Sequence, residues 1–230
     1  TALGIALTVA VLLSISAMVE GLRSSLEATG HPLHILVMRK GATAELNSNV
    51  MQEQFQTIKV KPGIARLPDG EPMASLELVT VIMLESPENP AGINISLRGL
   101  TTTGFAMRDT VHIAAGRMFQ PGRREVVVGK GLAKRYPKAS IGSKLEFGRG
   151  AWEVVGIMDA GRSAANSELF CDLAQLAADQ NRETALSSVL LRATDPVAMQ
   201  ALMNDLKEDR RLNADAIMLD IEDGVAPNEK

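Results

Sequence analysis

The chain opens on Thr1–Val19, TALGIALTVAVLLSISAMV, a stretch with no charged residue, and Glu20-Gly21-Leu22-Arg23 then turns polar at once. A helix rises about 1.5 Å per residue, so this stretch would span roughly 28 Å, against roughly 30 Å for the hydrocarbon layer of a bilayer. Its polar residues, Thr8, Ser14 and Ser16, can return their hydroxyl hydrogen bonds to helix carbonyls, and Gly4 suits close packing against another helix. The stretch therefore reads as a membrane helix. Two other readings compete with it. A secretory signal would want a basic n-region, which is missing, although Ala17 could end a cleavage site. A buried helix of a soluble protein is the third. The chain begins at Thr, so residues before Thr1 are expected.

The helix is expected to run past Val19. Val19, Leu22 and Leu26 lie at i, i+3 and i+7 on one face, Gly30 offers a C-terminal cap and Pro32 blocks continuation. An apolar helix thus becomes an amphipathic one, a stalk leaving the membrane surface. Strand, helix and strand follow. His34–Met38 is a short apolar run; Asn49 with Gln52 suggests a capping box, and Met51, Phe55 and Ile58 take helical spacing. Ile58 and Val60 also alternate, so a strand stays open as an alternative there. Met73–Glu85 (MASLELVTVIMLE) is rich in β-branched residues and predicts a long strand, ended by the loop Ser86–Pro90.

The middle is β-rich. Strands are predicted at Ile93–Leu100, Val111–Ile113 and Glu125–Gly129, the last running into a short helix, Lys130–Tyr136. Gly116–Gly122 reads as a turn, and Lys144–Phe147 with Trp152–Met158 as a hairpin around Gly148-Arg149-Gly150. Asp172 and Gln175 frame a capping box, Ser187–Arg192 is a strand, and Asp195-Pro196 supplies an N-cap followed by proline at the first helical position. Met199, Leu202, Met203 and Leu206 form one helix face, with Arg210-Arg211 suiting its C-terminal end, and Ala216–Leu219 closes a second β-α-β. The fold class is therefore α+β: a transmembrane and stalk helix over 1–30, then a core over 31–222. In that core a β-α-β subdomain (31–90 and 184–222) carries an inserted β-rich subdomain (91–183). A loose tail follows over 223–230.

Composition excludes some functions. The chain has 230 residues, 46% hydrophobic and 22% charged, with a net charge of -3 spread along its length, which argues against a nucleic-acid partner. Aromatics make up only 3%, too few for a base-stacking platform. The single cysteine, Cys171, rules out an internal disulfide and reads as a small buried residue.

No catalytic, cofactor-binding or metal site is predicted. Val126-Val127-Val128-Gly129-Lys130-Gly131 superficially resembles a phosphate loop, but the glycines are too close and Leu132 stands where a hydroxyl is needed. His31, His34 and His112 read as surface or loop residues, since Pro32 disrupts a shared face and no third ligand is indicated. Ser163 and Ser167 lie in a Gly/Ala/Ser loop without a nucleophile elbow, and no histidine is spaced to serve them. Glu208-Asp209 and Glu222-Asp223 read as solvated faces.

Three stretches taken together resemble a known family. The first is the apolar helix running into Glu20-Gly21-Leu22-Arg23, with a strand ending Arg39-Lys40-Gly41-Ala42-Thr43. The second is Gly116-Arg117-Met118-Phe119-Gln120-Pro121-Gly122, followed by Glu125-Val126-Val127-Val128-Gly129-Lys130-Gly131-Leu132-Ala133-Lys134-Arg135. The third is Trp152-Glu153-Val154-Val155-Gly156-Ile157 with GRSAANSELFCD over Gly161–Asp172. Their order resembles the extracytoplasmic core domain of MacB/FtsX-type ABC transporter permeases, which include lipoprotein-release and macrolide-export systems.

The resemblance implies four membrane helices with the outer domain inserted after the first, a permease dimer, and an ABC ATPase as separate subunit or fused domain. It implies an inner-membrane protein whose core lies in the periplasm or outside the cell, and in some members a membrane fusion (adaptor) protein. The outer domain would pair a porter-like subdomain with a β-rich one and be moved through the stalks by ATP binding and hydrolysis. It carries over no catalytic residue and no cofactor. The tail after Leu219 departs from the pattern, since a second membrane helix is expected beyond Lys230. The alternatives are a membrane-anchored extracytoplasmic binding module with a single helix and, less favoured, a secreted enzyme.

Overall fold

The computed structural model describes residues 9–19, 30–85 and 90–218. Residues 9–19 are helical (α1), and every one of them is exposed. Val9, Leu12, Leu13, Ile15 and Met18 stand among the large apolar side chains open to solvent. A helix folded into a soluble core would bury such a face, so the core-helix reading is not the one observed. Among the described residues no helix is long and apolar enough to cross a membrane. The first residues of the apolar stretch, the expected stalk, the Ser86–Asn89 part of the loop, Glu222-Asp223 and the tail lie outside the described residues.

The core is built on one mixed sheet of ten strands, whose strand order follows from two interleaved β-α-β units and an inserted set. The first unit is β1 (His34–Arg39), β2 (Val50–Met51), α2 (Gln52–Ile58) and β3 (Ala74–Leu84). The inserted set follows as β4 (Ile93–Leu100), α3 (Thr102–Ala106), β5 (His112–Gly116), β6 (Glu125–Gly129), α4 (Lys130–Arg135), β7 (Lys144–Phe147), β8 (Gly150–Asp159), β9 (Leu169–Asp172) and α5 (Leu173–Gln180). The second unit is β10 (Ala185–Leu186), β11 (Ser188–Arg192), α6 (Pro196–Glu208) and β12 (Ala214–Met218). In the large sheet the strands run β12-β1-β11-β3-β4-β9-β6-β8-β5, with β7 on β8, and β2 pairs β10 apart from it. Each β-α-β unit is split: β11 lies antiparallel between β1 and β3, and β1 antiparallel between β11 and β12. This is the double split arrangement of ferredoxin-like folds.

β3 joins the two halves of the sheet. Ala74–Glu77 pair with β11 and Leu78–Leu84 pair with β4, so the strand changes partner between Glu77 and Leu78. Beyond that point the pairing turns mixed, with β4 parallel to β9 and β6 parallel to β8.

Alternation along the strands sorts the side chains between the two faces. Ile35, Val37, Leu76, Leu78, Val189 and Leu191 point to one face, where Ile58 of α2 and Met199, Leu202, Met203 and Leu206 of α6 meet them. Val126, Trp152, Val154, Leu169 and Cys171 continue that core beneath α5. On the opposite face of the inserted half, Leu100, Val127, Val155, Met158 and Phe170 form a second cluster. Burial on both faces accounts for the nearly continuous apolar runs of β6 and β9.

The helix starts have local causes. The Asp195 side chain accepts from the backbone N–H of Val197 and Ala198, with Pro196 at the first helical position, as predicted. Asp172 accepts from Gln175 N–H, one half of the predicted capping box, while the Gln175 amide donates to Asp179 Oδ1 at 3.2 Å instead. The cap of α2 differs. Met51, not Asn49, holds the N-cap position, and its N–H donates to Gln54 Oε1 at 2.8 Å. Asn49 precedes the strand β2 instead, so its side chain is not available to the helix. The strand predicted at Val111–Ile113 starts one residue later and runs to Gly116, taking in the first residue of the expected turn. Gly116 sits at φ 73°, and a Cβ there would meet Val155 O at 2.3 Å, so only glycine lets β5 come this close to β8. α3 and β9 were not predicted.

Because α1 presents only exposed residues, removing residues 1–19 is expected to leave a soluble domain whose Tm lies within roughly 2 °C of the full chain in detergent. Calorimetry of both forms checks this; an aggregated truncation would put the helix inside the core.

Candidate functional site

The face of the sheet opposite α2 and α6 is polar where the two halves meet. His34 on β1, Ser75 and Glu77 on β3, and Ser188 on β11 are all buried there. Alternation explains the placement: Ile35, Leu76 and Val189 point to the apolar core, so their sequence neighbours point away from it. Glu77 is fully buried. Arg108, just past α3, grips it with both arms, Nη1 to Oε1 at 2.8 Å and Nη2 to Oε2 at 2.7 Å. Arg98 on β4 adds Nη1 to Oε2 at 2.8 Å. Arg98 also forks onto Glu45, at 2.9 and 2.8 Å, and its Nε lies 3.5 Å from Glu168. The Ser188 hydroxyl donates to Glu45 at 2.5 Å.

A second cluster lies beside the first. Arg192 Nη2 donates to Asp109 at 2.7 Å and to the Met107 carbonyl, and its Nε donates to His34 Nε2 at 3.0 Å. The cluster therefore ties the segments around residues 34–45, 77, 98–109, 168 and 188–192 together. Between them opens a cavity of about 400 Å³, lined by Gly30, His31, His34 and Leu36 on one side and by the 108–111 and 163–168 segments on the other. The Arg108 guanidinium lies over the Phe170 ring, 5.5 Å from its centroid.

The electrostatics follow from burial and pairing. Burial alone would raise the Glu77 carboxyl, but Arg108 and Arg98 outweigh it and hold it below the usual carboxylate range. Arg98 is raised well above its ordinary value, because Glu45 and Glu77 overcome the opposing effect of burial. Burial, then the Arg192 guanidinium, lowers His34 to about 3, so its imidazole is neutral and accepts from Arg192. The same two causes lower His31.

These arrangements sit in a chain whose sequence matches, over residues 1–209, the family described as the MacB-like periplasmic core domain. The chain belongs to that family. Its fold is similar to the periplasmic region of MacB from Actinobacillus actinomycetemcomitans, with a TM-score of 0.61 at 12% identity, covering 84% of this chain and 91% of that one. It is also similar to the extracellular domain of YknZ, a noncanonic ABC-type transporter from Gram-positive bacteria, with a TM-score of 0.59 at 14% identity, covering 80% of this chain and 99% of that one. No curated protein matches it.

In this MacB-like core domain the residues singled out from sequence are scattered. His34 is the exception to the surface reading of the histidines: it is buried on β1 and belongs to the cluster, because it falls on an inward position of a strand. His112 is exposed on β5, on the far side of the inserted half in strand order. Asp209 is not solvated as expected. Arg211 holds its carboxyl well below the usual range, and Lys61 approaches it at 3.3 Å. Gly129 and Gly131 serve packing: a Cβ on Gly129 would meet the Asn166 backbone at 2.4 Å, and Lys130 pairs with Asp159. Ser163 caps the short turn Ala164–Ser167 by accepting from Ala165 N–H, and Ser167 accepts from Arg135. Cys171 is fully buried, and burial pushes its thiol up, which keeps it unreactive. Among the described residues no group of His, Cys, Asp and Glu is placed to hold a metal ion. The residues sequence reasoning missed are Glu77, Arg98, Arg108 and Arg192. For Glu77, Arg98 and Arg192 the signal is a charge inside an apolar strand, as in LEL and SLR; Arg108 lies past α3 and has no such signal.

Replacing Glu77 by Gln leaves two guanidiniums facing a neutral amide, and this is expected to cost roughly 3 kcal/mol, read as a lower denaturant midpoint at unchanged slope.

The pH dependence has a definite sign. His34 binds protons less readily folded than unfolded, so stability is full above the unfolded pKa of 6.5 and falls as pH drops below it toward about 3. Between pH 6.5 and 5 the loss assigned to His34 is roughly 1–2 kcal/mol. A chemical-denaturation series on H34Q should flatten that slope, leaving the smaller part that belongs to His31; an unchanged slope would remove His34 as its source.

Proposed function

We propose that the chain is the extracytoplasmic domain of an ABC transporter permease subunit. In this reading the domain converts ATP binding and hydrolysis, carried out by a partner ATPase, into its own motion for export or lipoprotein release. The observation that carries the reading is the family match over residues 1–209, which takes in both the apolar N-terminal stretch and nearly all of the core. Thr1–Val19 would be the first membrane helix and Val19–Ala28 the stalk. The protein would sit in the inner membrane as a permease dimer, with an adaptor protein joining it in export systems. The domain itself would carry no enzyme activity.

The division of labour follows the sheet. We assign 31–90 and 184–222 to a porter-like subdomain and 91–183 to the inserted β-rich one. The change of partner along β3, from β11 to β4, supports that boundary. Exposure of α1 supports an apolar helix with its contacts outside the core.

The experiment is purification of the full-length protein from native membranes in mild detergent, as wild type and as Leu22→Pro. Wild type should bring down an ABC-type ATPase and show a nucleotide-dependent change in distance between spin labels on two outer domains. Leu22→Pro should retain the ATPase and lose that distance change. Recovery without an ATPase, from a detergent shown to preserve such complexes, would instead favour the single-helix binding module.

A further inference from the structure

The cavity where the two halves of the sheet meet is within the size range of small-molecule sites, at about 400 Å³. The chemistry of its walls says which ligands it rejects. Both guanidiniums on the wall already hold carboxylates, Arg98 with Glu45 and Arg108 with Glu77. An anion would join a wall whose carboxylates, among the described residues, already outnumber its guanidiniums. A metal ion would find no ligand set, since no three metal-binding side chains converge among the described residues.

Among the described residues the walls leave over one negative charge: Glu45, Glu77, Asp109 and Glu168 face three guanidiniums, those of Arg98, Arg108 and Arg192. The surplus rests on Glu168. Its ion pair is a single 3.5 Å contact from Arg98 Nε, while Glu45, Glu77 and Asp109 are each held at 2.8 Å or closer. His31 and His34 line the same space and are neutral at pH 7, so they add no balancing charge. Leu36, Val111, Ala165 and Leu190 supply apolar wall, alongside the hydroxyl-bearing Thr110 and Ser163.

We propose that this cavity binds a small organic ammonium ion, with its charge against Glu168 and its apolar body against Leu36, Val111 and Leu190. A partly buried carboxylate with spare acceptor capacity gains most from a donor that brings its own charge. An amine with an apolar body also covers wall that water leaves unsatisfied. This reading goes beyond the outer-domain function and does not depend on it.

Isothermal titration of the full chain with three isosteres, benzylammonium, benzyl alcohol and benzoate, tests it. Benzylammonium should bind at least tenfold more tightly than the alcohol, and benzoate should not bind. Glu168→Gln should bring benzylammonium down to the level of the alcohol. Ala164→Trp changes an exposed rim residue, should fill the mouth of the cavity and should abolish binding, which keeps the test decisive even if the Glu168 variant folds poorly. Equal binding of the ammonium and the alcohol, or benzylammonium binding that survives the Ala164→Trp change, would overturn the proposal.

Discussion

The ion pair between Glu77 and two arginines is the interaction on which the rest of the structure depends. Glu77 is the last residue of β3 paired with β11, and Leu78 is the first paired with β4. One carboxylate thus sits where the strand passes from one half of the sheet to the other. Its two partners come from the far side of that junction, Arg98 from β4 and Arg108 from the segment after α3. Arg98 then reaches back to Glu45, which the Ser188 hydroxyl holds from β11. Backbone pairing along β3 alone would join the halves through one strand. The side chains close a ring around that strand.

Such a cluster is a poor source of net stability. Removing a carboxylate and two guanidiniums from water costs several kcal/mol per ion, and their mutual attraction repays this only with full hydrogen bonding. Its contribution is specificity of register. A one-residue slip of β3 against β11 or β4 would turn Glu77 into the apolar core and Leu76 and Leu78 out of it, while Arg98 would lose its partner. An apolar residue at position 77 would tolerate both registers, and the charge tolerates one. The neighbouring glycine agrees with this. A Cβ on Gly104 would meet the Ser75 hydroxyl at 2.2 Å, so α3 is pressed against β3 where Arg108 must reach Glu77.

The parts of the fold legible in the sequence are those decided by neighbours along the chain. Asp195-Pro196 starts α6 because the cap and the fixed φ of proline act within three residues, and Ile93–Leu100 alternates visibly because one face of β4 is less buried than the other. β9 was missed because Leu169–Asp172 is buried on both faces and has no alternation to show. α3 was missed because its five residues, TTGFA, hold no apolar stripe; what starts it is the Thr101 hydroxyl accepting from Gly104 N–H. The site was illegible for a different reason. Glu77, Arg98, Arg108 and Arg192 are spread over 116 residues, and only the strand order brings them together. Each, read alone, is a charge in or beside a strand. The usable sign was that Glu77 and Arg98 carry opposite charge at positions whose flanking residues are both apolar. Such positions in adjacent strands are paired or they are not tolerated.

The same geometry bears on how motion would travel through a domain of this kind. Any displacement entering at Gly30 would reach β1 first, since His31 and Pro32 lead directly into it. β1 is held on both edges, by β11 and by β12, so the split β-α-β half must move as a unit. The inserted half receives that motion through β3 and through the arginine cluster, and Arg192 adds a second route by joining β11 to Asp109 near the start of β5. Two separated links resist rotation about either one, as a single strand crossing would not. If the halves were meant to swing freely, the economical sequence would place small apolar residues at positions 77 and 98. Buried charges there are costly to pull apart, so the two halves of the sheet are held together as one body.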